Sequence, residues 1–141
     1  MPAGQTARRI KILLAEDNPV NTLVSRELFK RRGHEVREVV SGEAAIEAAL
    51  EETFDLILMD IHMPGLDGIE ATKRIRRNEF MARKKRTPIV ALTADVLETG
   101  RQACQDVGMD GFLAKPIDTA ELDAMFAKLF PAEARPREAA A

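Results

Sequence analysis

The sequence predicts an α/β fold, with one doubly wound parallel sheet of five strands and helices on both of its faces. Three observations predict it. Short β-rich apolar runs alternate five times with stretches of helical period, the pattern of parallel strands joined by crossover helices. The run 55–60 (DLILMD) is apolar throughout its middle, as a strand buried on both faces must be. The 141 residues are enough for one core of ordinary size and not for a second.

Each element has its own local reason. Residues 10–15 (IKILLA) read as the first strand, which ends at the acidic turn Glu16-Asp17. Asn18 is an N-cap and Pro19 sits at the first helical position, where its missing N–H does no harm. Val20, Leu23, Val24 and Leu28 keep a helical period, and Gly33 stops the helix. Residues 35–40 form the second strand. Ser41 caps a helix over 43–51, with Ala45, Ile46, Ala49 and Leu50 on one face. After the third strand, 55–60, a loop over 61–66 carries the turn signal Pro64-Gly65. Asp67 and Glu70 are spaced as a capping box and open a helix to about Asn78, whereas 80–87 is polar and basic and reads as a loop. Residues 88–92 (PIVAL) are the fourth strand. Asp95 caps a helix over 95–107, with Gly100 in its interior and Gly108 as its stop. Residues 110–114 are the fifth strand. Asp118 and Glu121 repeat the capping-box pattern ahead of the stripe Leu122, Met125, Phe126, Leu129 and Phe130. The expected organisation is a tail over 1–9, a domain over 10–130, and a tail or linker over 131–141.

Composition narrows the function classes. The net charge of −2 argues against a dedicated nucleic-acid binder. Two histidines and the single Cys104 exclude an internal disulfide and a Cys/His metal cluster. Cys104 is expected to pack against the sheet with Val107, and His34 to play a structural part in a turn. No apolar run approaches the ~18–20 residues of a membrane span, and the polar start does not read as a signal peptide. The expectation is a cytoplasmic domain with no membrane contact and no direct nucleic-acid partner. The stretch 73–86 carries eight Lys/Arg and one acid, a local charge of +7 against −9 for the rest. It reads as a solvated helix face running into a loop, or as a patch for an acidic partner or a nucleic acid, the last disfavoured because Phe80 is the one aromatic interleaved with it.

In open parallel sheets the functional crevice lies at the carboxyl ends of the strands. The residues just beyond the apolar runs are Glu16-Asp17, Asp60, Thr93 and Lys115. Three carboxylates, a hydroxyl and an ammonium are thus expected to converge on one edge.

This set, with Pro116 after Lys115, resembles the receiver domain of two-component response regulators. The strings LLAEDNPVN, DLILMDIHMPGLDG, IVALTA and GMDGFLAKP are similar to receiver motifs, in order, and the resemblance covers roughly residues 10–130. AEDNPVN, with Asn21, and GMDGFLAKPID look most like receivers of hybrid histidine kinases. The resemblance implies a flavodoxin-like (βα)5 sheet of order 2-1-3-4-5 and a phosphorelay function. It also implies a Mg²⁺ cofactor and a histidine kinase or histidine phosphotransfer protein as partner. Asp60 then takes a phosphoryl group from phosphohistidine as a nucleophilic carboxylate. Asp17 and Asp60 hold the cation, Glu16 reaches it through water, and His62 lends its backbone carbonyl. Lys115 and Thr93 serve the phosphoryl oxygens. Phe112, three residues before Lys115, matches the family's switch aromatic, and the Lys115–Pro116 bond is expected to be cis. The output is a conformational switch on the face made by the fourth helix, fifth strand and fifth helix. The rival classes are a stand-alone single-domain regulator, a Mg²⁺-dependent aspartyl-phosphate phosphatase, and a pseudo-receiver that only binds partners. Where such phosphatases often carry a second Asp, this chain has His62, and no cap domain is evident.

Overall fold

The computed structural model describes residues 9–94 and 100–130. In chain order the elements are β1 (Lys11–Ala15), α1 (Pro19–Arg31), β2 (Glu35–Val39), α2 (Gly42–Glu51), β3 (Leu56–Asp60), α3 (Gly68–Ala82), β4 (Ile89–Thr93), α4 (Arg101–Asp106), β5 (Gly111–Ala114) and α5 (Thr119–Leu129). All strand pairs are parallel and the sheet order is β2-β1-β3-β4-β5.

Alternation along the strands divides the core into two layers. Leu13, Ala15, Ile57, Met59, Ile89 and Ala91 point to the side covered by α2, α3 and α4, where Ala45, Ala48, Ala71, Ile75 and Cys104 meet them. Ile12, Leu14, Leu56, Leu58, Val90, Leu92 and Leu113 point to the side of α1 and α5, against Phe29 and Leu122. Burial on both faces explains why β1, β3 and β4 read as nearly unbroken apolar runs. Cys104 packs as expected, and Met125, Phe126, Leu129 and Phe130 line the α5 face against the second layer. Four helices have the caps the sequence announces: the side chains of Asn18, Ser41, Asp67 and Asp118 accept backbone amides in the first turns of α1, α2, α3 and α5.

Four expectations need correction. The apolar period of α1 marks its core side only at Leu28, which packs partly buried on the second layer: Val20, Leu23 and Val24 are 67 %, 50 % and 48 % exposed, while Ser25 and Phe29 are buried. The core here is reached by Phe29, a larger side chain four residues after Ser25, and Val20, Leu23 and Val24 turn outward. Leu50 likewise leaves the α2 core face for solvent. Helix α3 runs four residues past Asn78 because the carboxylate of Glu79 accepts from Arg76 Nη1 at 2.8 Å and from the Thr87 amide at 3.0 Å. That pins a last turn, ended by Arg83 in the left-handed region (φ 57°), inside what reads as a polar loop. Gly100 lies ahead of α4 at its N-cap rather than in a helix interior. The expected cap Asp95 and the start of that helix lie outside the described residues.

Candidate functional site

The carboxyl edge of the sheet assembles the side chains that the strand ends supply. β1 runs out into Glu16, which is buried, and Asp17, which is exposed. β3 ends on Asp60, also buried, and register sets it beside Leu92, one residue short of the buried Thr93. Thr93 pairs with Ala114, so Lys115 leaves β5 on the same edge, its amide bonded to the Thr93 carbonyl at 2.9 Å. The Lys115–Pro116 peptide is cis. Lys115 Nζ donates to Asp60 Oδ2 at 3.0 Å and lies 3.6 Å from Glu16 Oε1.

Carboxylate oxygens of Glu16, Asp17 and Asp60 lie within 4.8 Å of one another. The donors are all hard oxygens, two held in the protein and one facing water, which suits a small divalent cation that keeps several waters. Burial raises the Glu16 carboxyl above its ordinary range, and its hydrogen bond with Asp60 raises it further. The Asn18 amide, 3.1 Å from Oε2, and Lys115 oppose this. A pair of buried acids beside one ammonium is thus short of positive charge.

The remaining positions are placed more loosely. The side chain of His62 is exposed, while its amide donates to Asp60 Oδ1 at 3.0 Å, a contact sequence reasoning missed because any residue type supplies it. Phe112 is half-buried against the α2–α4 layer, with the Arg101 guanidinium 4.8 Å from its ring centre. Sequence reasoning also missed Ser25, which joins Asn21, Glu16 and Lys115 around a small cleft between α1 and the β5–α5 loop. Its spacing from Phe29 was the available signal. His34 is buried, as a structural residue should be.

The family described as the response regulator receiver domain matches residues 12–127. This chain belongs to that family. Among curated relatives, the sensor protein GacS of Pseudomonas syringae pv. syringae is 41 % identical over 117 residues, which is 83 % of this chain and 13 % of that protein. The receiver thus spans about one-eighth of that relative's length. Among solved structures, the receiver domain of the Pseudomonas aeruginosa sensor histidine kinase PA1611, with a magnesium ion coordinated in its active-site cleft, is 40 % identical. It superposes with a TM-score of 0.77 over 88 % of this receiver and 99 % of that chain. A chain in the co-crystal structure of the Saccharomyces cerevisiae phosphotransfer protein Ypd1 with the receiver of its response regulator Ssk1 is 26 % identical. Its TM-score is 0.82, over 89 % of this receiver and 92 % of that chain. The receiver is a signalling domain, homologous to receivers of hybrid histidine kinases, and its sheet order is the one the resemblance implies. No helix among the described residues is long and apolar enough to cross a membrane.

Proposed function

We propose that this receiver is a phosphoacceptor in a two-component phosphorelay, with Asp60 as the acceptor. One observation carries the reading: the buried Asp60 carboxylate has the Lys115 ammonium at 3.0 Å and two further carboxylates gathered about it, at the open carboxyl edge of the sheet. An oxygen of Asp60 attacks the phosphorus of a phosphohistidine. The P–N bond breaks, the imidazole nitrogen keeps the bonding pair, and an acyl phosphate forms. Lys115 then offsets the charge that moves onto the phosphoryl oxygens, and the Thr93 hydroxyl donates to one of them. Glu16, Asp17, Asp60 and the His62 carbonyl are the groups that would hold Mg²⁺. Bound there, the cation supplies neutralisation of the acidic edge and of the incoming phosphoryl charge.

A small phosphodonor such as acetyl phosphate tests this directly. Mass spectrometry is expected to show one phosphoryl group, lost in alkali, added only with Mg²⁺ present and absent from Asp60→Asn. A label that persists in that variant sinks the assignment.

Signalling follows from Thr93. As its hydroxyl turns toward the phosphoryl group, Phe112 is free to move inward, away from Arg101 at the start of α4. The α4–β5–α5 face is therefore the output surface. Beryllofluoride, standing in for the phosphoryl group, is expected to change amide exchange most between Thr93 and Ala114. The partner is a histidine kinase or histidine phosphotransfer protein. The exposed Val20, Leu23 and Val24 on α1, next to the acidic edge, offer it an apolar seat. Leu23→Asp is expected to slow transfer from phosphohistidine protein while leaving acetyl phosphate labelling intact. The parent is a hybrid sensor histidine kinase, with residues 10–130 as its receiver and 1–9 and 131–141 as flanking segments. That placement rests on the GacS and PA1611 likeness.

A further inference from the structure

We propose that the α2–α3 face joins two copies of this chain about a two-fold axis running along those helices. Away from their buried sides the two helices carry stripes of opposite sign. On α2 the exposed residues Glu43, Glu47 and Leu50 fall at i, i+4 and i+7, and on α3 Lys73, Arg77 and Phe80 do the same. Glu43, Glu47, Lys73 and Arg77 enter no ion pair among the described residues. Each stripe ends on apolar surface left in water: Leu50 is 52 %, Phe80 85 % and Met81 73 % exposed. Single exposed apolar residues are ordinary, but three at one end of two adjacent helices form a patch. Beside them a groove of about 180 Å³ runs between the helix ends, lined by Ala49, Leu50, Phe54, Ile57 and Ile75, with Lys84 and Lys85 also on it.

The helices run parallel with their starts level. A Cβ on Gly42 would meet the Leu66 carbonyl and Ala71 at the α3 start, and residues from 49–54 and from 75–79 line one groove at the far end. Rotation by half a turn about an axis parallel to the helices keeps their direction and exchanges left for right. Each α2 then faces the α3 of the other copy, glutamates toward Lys73 and Arg77, as a self-complementary interface requires. Gly42 sits beside Ala71, so Phe80, nine residues further along α3, is level with Glu51 at the end of α2 and comes toward the end of α2 in the other copy, where the groove opens. An axis across the helices would set Glu43 and Glu47 against their own counterparts, a like-charge arrangement that disfavours association.

The occupant follows from the same pattern. A nucleic acid or an all-acidic peptide would match Lys73 and Arg77 but meet Glu43 and Glu47 beside them. A surface with both signs in this side-by-side order satisfies both stripes, and this chain presents one. None of Glu43, Glu47, Lys73, Arg77 and Phe80 belongs to the cluster of Glu16, Asp17, Asp60 and Lys115, so the proposal stands or falls apart from the phosphoacceptor reading.

Sedimentation of the full chain is expected to show a monomer–dimer equilibrium that weakens as salt is added. Lys73→Glu with Arg77→Glu makes both stripes acidic, and Glu43→Lys with Glu47→Lys makes both basic. Each double variant is expected to lose self-association by about a hundredfold. An equimolar mixture of the two is expected to form a heterodimer, because both contacts are then complementary again. Phe80→Asp should weaken the parent dimer through the groove. Circular dichroism and acetyl phosphate labelling establish that the variants are folded. A parent chain that stays monomeric at millimolar concentration overturns the proposal. So does a dimer that the charge swaps leave intact, or a mixture that remains monomeric.

Discussion

His34 Nδ1 accepts the Ile10 amide at 3.1 Å, and its ring lies 5.4 Å from that of Phe126. Burial pushes its pKa down to about 4, with Arg32 and Arg9 adding to the effect. Between about pH 4 and 6.5 the unfolded chain therefore binds a proton that the folded one does not, so stability is lost as pH falls through that window. The loss is on the order of 3 kcal/mol. Urea midpoints at pH 7 and pH 4.5 are expected to differ for the parent and to converge in His34→Gln; an equal drop in both would refute the role of the ring. Glu16 has the opposite sign. Its carboxyl is raised, chiefly by burial, so the folded chain holds a proton there that the unfolded chain releases above its ordinary range. The contribution of Glu16 is thus lost as pH rises through the raised value. In metal-free buffer at pH 7, Glu16→Gln is expected to raise the melting temperature, and Mg²⁺ should stabilise this variant less than the parent.

At the scale of elements, the start of α3 is set by how closely it approaches β3. A Cβ on Gly68 would stand 2.4 Å from the Asp60 carbonyl oxygen and 2.8 Å from Ile61 Cα, and neither backbone atom can move cheaply. Gly68→Ala is expected to cost roughly 1–3 kcal/mol by overpacking and to slow labelling of Asp60. The end of α3 depends on Arg76. It is only 14 % exposed and donates to the carbonyls of Thr87 and Gly108, to Glu79 and to Asp110. Asp110 Oδ2 also accepts the Ile89 amide, so one guanidinium ties α3 to the starts of β4 and β5. Arg76→Ala takes the shared cation from the buried Glu79 and the half-buried Asp110, which keep only the Thr87 amide and the Ile89 amide with Arg86, and is expected to cost about 3 kcal/mol in urea unfolding. Arg86→Ala, which removes an exposed partner of Asp110, should cost about 1 kcal/mol or less.

For the whole molecule, the two core layers hold the sheet and the carboxyl edge holds the charge. A cation that binds only the folded chain stabilises all of it. At a hundredfold excess over its dissociation constant Mg²⁺ is expected to add about 2.7 kcal/mol, read as a rise in melting temperature. Asp17→Asn should remove most of that gain. An unchanged melting temperature in the parent would count against a metal site at Glu16, Asp17 and Asp60. The molecule leaves apolar side chains in water at Val20, Leu23 and Val24 on α1 and at Leu50, Phe80 and Met81 near the ends of α2 and α3. Both patches lie outside the core layers, which is why binding can use them without disturbing the fold.

By itself the sequence determined the strand–helix alternation, four of the caps, the buried character of β1, β3 and β4, and the residues of the carboxyl edge. These are local or periodic signals: a cap needs one side chain, a doubly buried strand needs an apolar run, and a strand end is where that run stops. Tertiary structure decided which apolar period is buried. Val20 and Leu23 have the spacing of a core stripe, yet the rotation of α1 about its axis is set by where Phe29 fits, and no local pattern reports that. It also decided that α3 continues to Ala82, through Glu79, Arg76 and Thr87, residues whose contacts join distant parts of the chain. The 3.0 Å approach of Lys115 to Asp60 belongs to the same class. Residue spacing placed both on one edge, but only the parallel register of β3, β4 and β5 brings an ammonium 55 residues away to that carboxylate.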